Sequence, residues 1–177
     1  RFSLHFTSQY EDLDEMIYII LKRDCPSLVK AIAGGVVLDV GCGYGSSFIG
    51  IAKREDEPRK VVHLDADYRV FTSHANISSD EKTRRDAYWK HDMKVCSGAQ
   101  ALPFRDGIFD IVHMNGTLWD DNGASDREKI QGEIRRILKP DGFYFGDSDI
   151  ADDYQAKIEG FRLIPFCIVT KAIFQKI

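Results

Sequence analysis

Val36-Val37-Leu38-Asp39-Val40-Gly41-Cys42-Gly43-Tyr44-Gly45 sets the reading of the whole chain. Its first half is an almost unbroken apolar run, the mark of a strand buried on both faces of a parallel sheet. Its second half places glycine at alternate positions, and Ser46, Ser47 and the apolar Phe48, Ile49 and Ile51 follow. The order is strand, glycine-rich turn, helix. Glycine lets the backbone turn tightly and approach a ligand, and the helix that follows presents N–H groups without intrahelical partners. A dinucleotide fingerprint needs G-x-G-x-x-G, whereas Gly41, Gly43 and Gly45 are followed by Ser46. The phosphate loop ending in G-K-[ST] is absent as well.

Upstream of this stretch, Leu13, Ile17, Ile20 and Leu21 recur at helical spacing, and Leu28 lies beyond Pro26. A helical segment broken near Cys25-Pro26 is expected, covering the sheet edge and the mouth of a ligand site. Downstream, residues 46–54 read as the first crossover helix. Val61-Val62-His63-Leu64-Asp65 reads as a second short strand ending in an acid. In a doubly wound sheet that strand end lies beside the glycine turn, where a carboxylate can accept both hydrogen bonds of a ribose diol. The alternative is an N-cap for a helix starting near Tyr68. Residues 68–76 and 80–90 read as two helices whose basic residues form a solvated face.

Residues 94–97 are expected as a third strand and 108–114 as a fourth, with His113 packed inside it. Ser125-Asp126-Arg127-Glu128 is a capping box for a helix running to Leu138. Pro140 and Gly142 stop that helix ahead of a fifth strand at 143–146. A short helix near 152–159 and a hairpin over 160–174 close the chain.

The 177 residues suit one domain, divided into a helical cap at 1–33, a core at 34–150 and a closing helix and hairpin at 151–177. A net charge of −4 gives no general attraction to nucleic-acid backbone or to anionic membrane. No apolar run approaches membrane-spanning length, and the start does not resemble a signal peptide. Cys25, Cys42, Cys96 and Cys167 are scattered without C-x-x-C, which fits reduced thiols in a cytoplasmic setting and disfavours zinc. Asp120, Asp121, Asp147, Asp149, Asp152 and Asp153 suggest divalent-metal ligands, but their context matches poorly and no metal is expected.

D-V-G-C-G-Y-G at 39–45 resembles the first motif of the class I S-adenosylmethionine-dependent methyltransferases. The apolar strand ending in Asp65 resembles their second. The run from Gly98 through Leu102-Pro103-Phe104, Asp106 and Phe109-Asp110 to Val112 resembles G-D-A-x-x-L-P-F-x-D-x-x-F-D-x-V. Arg136-Ile137-Leu138-Lys139-Pro140-Asp141-Gly142 resembles the R-x-L-K-P-G-G turn, with Asp141 in the first glycine slot. The four motifs run in the family's order from Val36 to Gly146, and the nearest likeness is to the quinone-biosynthesis C-methyltransferases.

The resemblance implies a three-layer, doubly wound, Rossmann-like α/β fold. Its sheet would have seven mostly parallel strands and a C-terminal antiparallel hairpin. It implies S-adenosyl-L-methionine as cofactor, S-adenosyl-L-homocysteine as product and a small-molecule acceptor, with a homodimer left open. Gly41, Cys42 and Gly43 would wrap the methionine end of the cofactor, and Asp39 would orient its amino group. Asp65 and Ala66 would hold the ribose, and Asn115 would face the cofactor. Tyr10 would either lie near the transferring methyl or be a packing aromatic. The family's adenine-binding aspartate aligns with Gly98, so base recognition falls to backbone groups of Gly98 and Ala99 or to the Gln100 side chain. No catalytic base emerges, with His5, His113 and Tyr10 as candidates. The [DNS]-P-P-[YFW] and Pro-Cys signatures of nucleic-acid methylating enzymes are missing. The alternative from another class is a non-catalytic, cofactor-binding regulatory subunit.

Overall fold

Alternation along the central strands divides the apolar residues between two sheet faces, and helices cover both. The structure is a computed structural model describing residues 6–43, 47–72, 89, 92–114, 124–147, 159–164 and 171–177. In chain order the elements are α1 (Phe6–Asp24), α2 (Pro26–Ile32), β1 (Val36–Val40), α3 (Ser47–Asp56), β2 (Lys60–Asp65) and α4 (Arg69–Thr72). They continue with β3 (Met93–Cys96), β4 (Phe109–Met114), α5 (Ala124–Ile137), β5 (Leu138–Asp147), β6 (Phe161–Ile164) and β7 (Lys171–Lys176).

The seven strands form one sheet in the order β3-β2-β1-β4-β5-β7-β6. β1 to β5 run parallel, and β7 is antiparallel to both β5 and β6. Seven mostly parallel strands closed by an antiparallel hairpin are the architecture expected from the motifs. The strand order reverses between β1 and β4, and in such sheets ligands gather outside the carboxyl ends of the strands at that point.

On one face Leu38, Val40, Val62, Leu64, Val112 and Met114 pack with Ile130, Ile134 and Ile137 of α5. On the other, Val37, Val61, Ile111, Phe143, Phe145 and Ile173 meet Ile17, Leu21, Leu28, Ile32 and Phe48 from α1, α2 and α3. Burial of each such Leu or Ile contributes roughly 1.5–3 kcal/mol. The described part of α1 therefore covers a face of the sheet beside α3, not an edge strand as expected. Ile17 and Leu21 supply an apolar stripe that only a face can bury. The helix break at Cys25-Pro26 holds, because Pro26 opens α2 where its missing N–H is not needed.

Several element boundaries differ from those expected. α3 runs to Asp56, and α5 begins one residue before the expected cap. β5 starts at Leu138, directly after α5, instead of at Phe143. Leu138 pairs with Phe109 and Phe143 with Ile111, so the Lys139-Pro140-Asp141-Gly142 turn is a bulge within the strand. Asp141 sits there at φ 61°, the left-handed conformation for which the family's glycine is suited. The closing hairpin is present as β6 and β7. Of the two expected helices at 68–76 and 80–90, α4 and the helical Trp89 are the described parts, and residues 152–158 of the expected short helix lie outside the described residues.

Candidate functional site

Three turns leave the carboxyl ends of β1, β2 and β3 side by side. In the first, Gly41 and Gly43 have φ of 64° and 49°, so the alternating glycines answer a backbone requirement. The Cys42 N–H donates to Leu64 O at 3.1 Å, tying this turn to β2. Burial, helped by the charges of Asp39 and Asp65, pushes the Cys42 thiol up, so its sulfur keeps its proton.

Asp65, partly exposed at the end of β2, joins the first turn to the second. Its Oδ2 accepts the Gly43 N–H at 2.9 Å and its Oδ1 accepts the Asp67 N–H at 2.9 Å. Capping of α4 falls to Asp67, whose Oδ1 accepts the Arg69 N–H at 3.0 Å, so the N-cap alternative for Asp65 is not what the structure contains. The third turn is held to the second, because the Ser97 N–H donates to Asp65 O at 3.0 Å and the Cys96 thiol to Ala66 O at 3.5 Å. Ala99 is buried and Gln100 exposed. A methyl group on Gly98 would lie 2.9 Å from Gln100 Oε1. The Gln100 amide thus occupies the space that a side chain at position 98 would claim.

Beneath these turns a polar row crosses three strands. Asp39 is in register with His63 on β2 and with His113 on β4, so all three side chains share a face. His63 Nδ1 lies 3.1 Å from Asp39 Oδ2, and His113 Nδ1 lies 2.9 Å from Asp39 Oδ1. His63 Nε2 lies 3.0 Å from Asp92 Oδ2, and Lys53 Nζ of α3 donates to the same oxygen at 2.7 Å. Burial would raise the Asp39 carboxyl, but the hydrogen bonds and charges of His113 and His63 outweigh it and hold the group below its ordinary range. His113 is packed in the strand as expected, stacked on Phe48 at 4.9 Å between ring centres, and it also bonds Asp39.

The structure shows what Asp39 does within the sheet. At 1% exposure, with both oxygens engaged by imidazoles, it braces neighbouring strands from inside the sheet. Asp39, Cys42 and His63 also bring three potential metal-donor atoms within 4.8 Å of one another. Those atoms are engaged in hydrogen bonds or protonated, so the group reads as a network and not a metal centre.

Of the other expected residues, Tyr10 lies in α1 with its side chain outside the description. Asn115, His5, Asp120, Asp121, Asp149, Asp152 and Asp153 lie outside the described residues. Sequence reasoning missed the polar row, although the signal was available. Asp39, His63 and His113 each stand next to the last residue of an apolar strand core, followed by Val40, Leu64 and Met114.

Comparison with known proteins bears on this site. The methyltransferase-domain family profile matches residues 38–146. A demethylmenaquinone methyltransferase of Lactobacillus johnsonii is 32% identical over 114 residues, covering 64% of this chain and 43% of that protein. This chain thus spans less than half the length of that curated relative. Among solved structures, the N-methyltransferase NodS of Bradyrhizobium japonicum WM9, in complex with S-adenosyl-L-homocysteine, superposes with a TM-score of 0.64 at 13% identity. That superposition covers 92% of this chain and 86% of the other. An S-adenosyl-L-methionine-dependent methyltransferase structure from Methanococcus maripaludis gives 0.61 at 15% identity, over 94% and 91% of the two chains. At such identities these likenesses speak for the fold. The family profile extends over more than half of the chain, from the core of β1 to the end of β5, and the protein belongs to the class I S-adenosylmethionine-dependent methyltransferase family.

Proposed function

We propose that this chain binds S-adenosylmethionine across the three turns and transfers its methyl group to a small-molecule acceptor. The observation that carries the reading is Asp65, a partly exposed carboxylate held against the glycine turn through Gly43 at the strand-order reversal. The residues fit the cofactor. Each Asp65 oxygen accepts one N–H and keeps a lone pair for a ribose hydroxyl. At Gly98 the exposed Gln100 amide stands where a side chain would project, offering a neutral donor and acceptor on the base side.

In this reading Asp65 and Ala66 hold the ribose, Gly41, Cys42 and Gly43 the methionine end, and Gly98, Ala99 and Gln100 the base. Asn115 and Tyr10 facing the cofactor belong to the same proposal. When bound, the cofactor supplies a methyl group already activated on a sulfonium sulfur. The protein's part is to align donor and acceptor and to exclude water. Asp39 and His113 are locked in the sheet, so neither serves as the acceptor's base.

A small acceptor is supported by the name of the Lactobacillus relative and by the net charge of −4, which gives no attraction to nucleic acid. Among the described residues no helix is long and apolar enough to cross a membrane. Cys25, Cys42 and Cys96 are free thiols, which supports a reducing, cytoplasm-like setting.

Isothermal titration with S-adenosylmethionine, S-adenosylhomocysteine and NAD tests the reading. The expected result is binding of the first two at about micromolar Kd and none of NAD, with affinity falling roughly 10- to 100-fold in Asp65→Ala. Folded protein that ignores S-adenosylmethionine, or an Asp65→Ala variant with unchanged affinity, overturns it.

A further inference from the structure

Both nitrogens of the His63 ring face carboxylate oxygens, Asp39 Oδ2 at 3.1 Å and Asp92 Oδ2 at 3.0 Å. Ionised carboxylates only accept hydrogen bonds, so a ring satisfied on both sides carries both protons. The charges then alternate along the chain Lys53, Asp92, His63, Asp39 and sum to zero. The neutral ring would turn a bare nitrogen lone pair toward one carboxylate and leave the buried Asp39 with less compensation, an expensive arrangement in the interior.

The position of His63 ties it to the first two turns. Asp39 precedes Gly41 by two residues and His63 precedes Asp65 by two, and Asp65 accepts the Gly43 N–H. The ionic cross-link from β1 to β2 therefore lies directly below the contact that joins the glycine turn to the acid. We propose that His63 works as a doubly protonated positioning residue, clamping β1 to β2 so that the turn at 41–43 and Asp65 are held at the spacing the cofactor needs. The proposal rests on the cofactor reading given above.

The groups facing His63 from its surroundings are accounted for. Asp39 comes from β1, and His113 from β4 acts through Asp39. Asp92 precedes β3, and Lys94 of β3 is in register with His63 but places its ammonium over Trp89. Lys53 reaches from α3 and the protonated Cys42 thiol from the first turn. Burial alone would lower the His63 pKa, yet the bonds to Asp39 and Asp92 outweigh it and raise it above the ordinary histidine value.

Histidine-selective 15N NMR on the wild-type protein reads the ring directly. The His63 resonances, assigned by their loss in His63→Gln or displacement in Asp92→Asn, should show two protonated nitrogens at about pH 7.5, a unit above the ordinary pKa. One bare nitrogen there overturns the proposal. A second measurement titrates S-adenosylhomocysteine, whose sulfur is uncharged, into wild type, His63→Gln and Asp92→Asn from about pH 6.5 to 9. Wild-type affinity should fall about tenfold with rising pH, the equivalent of one pKa unit of coupling. The fall should shift to lower pH in Asp92→Asn and be missing in His63→Gln. The same pH step in His63→Gln, or an unmoved midpoint in Asp92→Asn, overturns the positioning role. If His63→Gln does not fold, the Asp92→Asn midpoint decides. If the folded wild type does not bind S-adenosylhomocysteine at any pH, the cofactor reading fails and takes the positioning role with it. The NMR result still decides the charge on the ring.

Discussion

Gly98 is the residue at which this chain departs most instructively from its family's pattern, and Gln100 fills the space it leaves. Gly98 removes the acid expected to meet the adenine amino group, and the Gln100 carbonyl oxygen lies only 2.9 Å from the point a Cβ at 98 would occupy. An amide there can accept from an amino group through Oε1 or donate to a ring nitrogen through Nε2, though without the charge that makes a carboxylate bond strong. Replacing Gln100 with Ala should weaken S-adenosylhomocysteine binding about fivefold, the worth of one neutral hydrogen bond. Calorimetry checks this, and an unchanged Kd removes Gln100 from the base site. The absence of the acid was legible in the sequence, because Gly98 falls at a fixed offset before Leu102-Pro103-Phe104. The identity of the group that fills the space was not, since it depends on how the turn at 97–100 folds the Gln100 side chain back. Asp39 shows the complementary limit. Its place at a strand end was readable, but its two partners come from strands 24 and 74 residues away.

The motifs that betrayed the family in the linear chain turn out to hold one another in space. Arg136, the arginine of the R-x-L-K-P run, donates to Leu102 O at 3.0 Å and Phe104 O at 2.7 Å. It also pairs with Asp106 and Glu133, both at 2.8 Å. Lys139 of the same run reaches both oxygens of Asp110, and Asp110 Oδ2 accepts the Val36 N–H at the start of β1. One helix end thus pins the segment leading from the turn at 97–100 into β4, and the bulge after it pins β1. Spacing made α5, β4 and the turn after α5 legible. The early start of β5 was not, because only the pairing of Leu138 with Phe109 makes those residues a strand. Substituting Arg136 by Lys is the informative change, since one ammonium cannot span two carbonyls and two carboxylates set out for a planar fork. A loss of about 2 kcal/mol is expected in urea denaturation, moderated by the partial exposure of the site. Faster amide exchange at 102–106 should accompany it. Wild-type stability in Arg136→Lys would show that the brace contributes nothing to the fold.

Across the whole molecule, the two apolar cores on opposite faces of the sheet differ in one respect that governs how stability responds to pH. The α5 side is apolar throughout its described core, whereas the α1–α3 side carries Asp39, His63 and His113 among its buried residues. Burial would raise Asp39 and Asp92, but their imidazole and ammonium partners outweigh it and hold both carboxyls low. A carboxyl depressed in the folded state stabilises fully above its unfolded value, about 3.9, and that contribution disappears as pH falls through the lower folded value. His63 has the opposite sign. Its folded value is raised, so its contribution is complete below about 6.5 and is lost as pH rises through the folded value. Both contributions are complete only between about pH 4 and 6.5 and fade beyond it as each folded value is passed, so this network favours a stability maximum there and a decline on either side. Urea denaturation across that range and a unit or two beyond it reads the profile. Asp92→Asn separates the network from other titrating groups. It removes one carboxylate from the acid limb and lets His63 lose its proton earlier, so the alkaline limb should begin at lower pH. An alkaline limb that stays in place in Asp92→Asn would mean that the decline belongs to groups elsewhere in the chain. It would also mean that the polar row is electrostatically silent in the folding equilibrium.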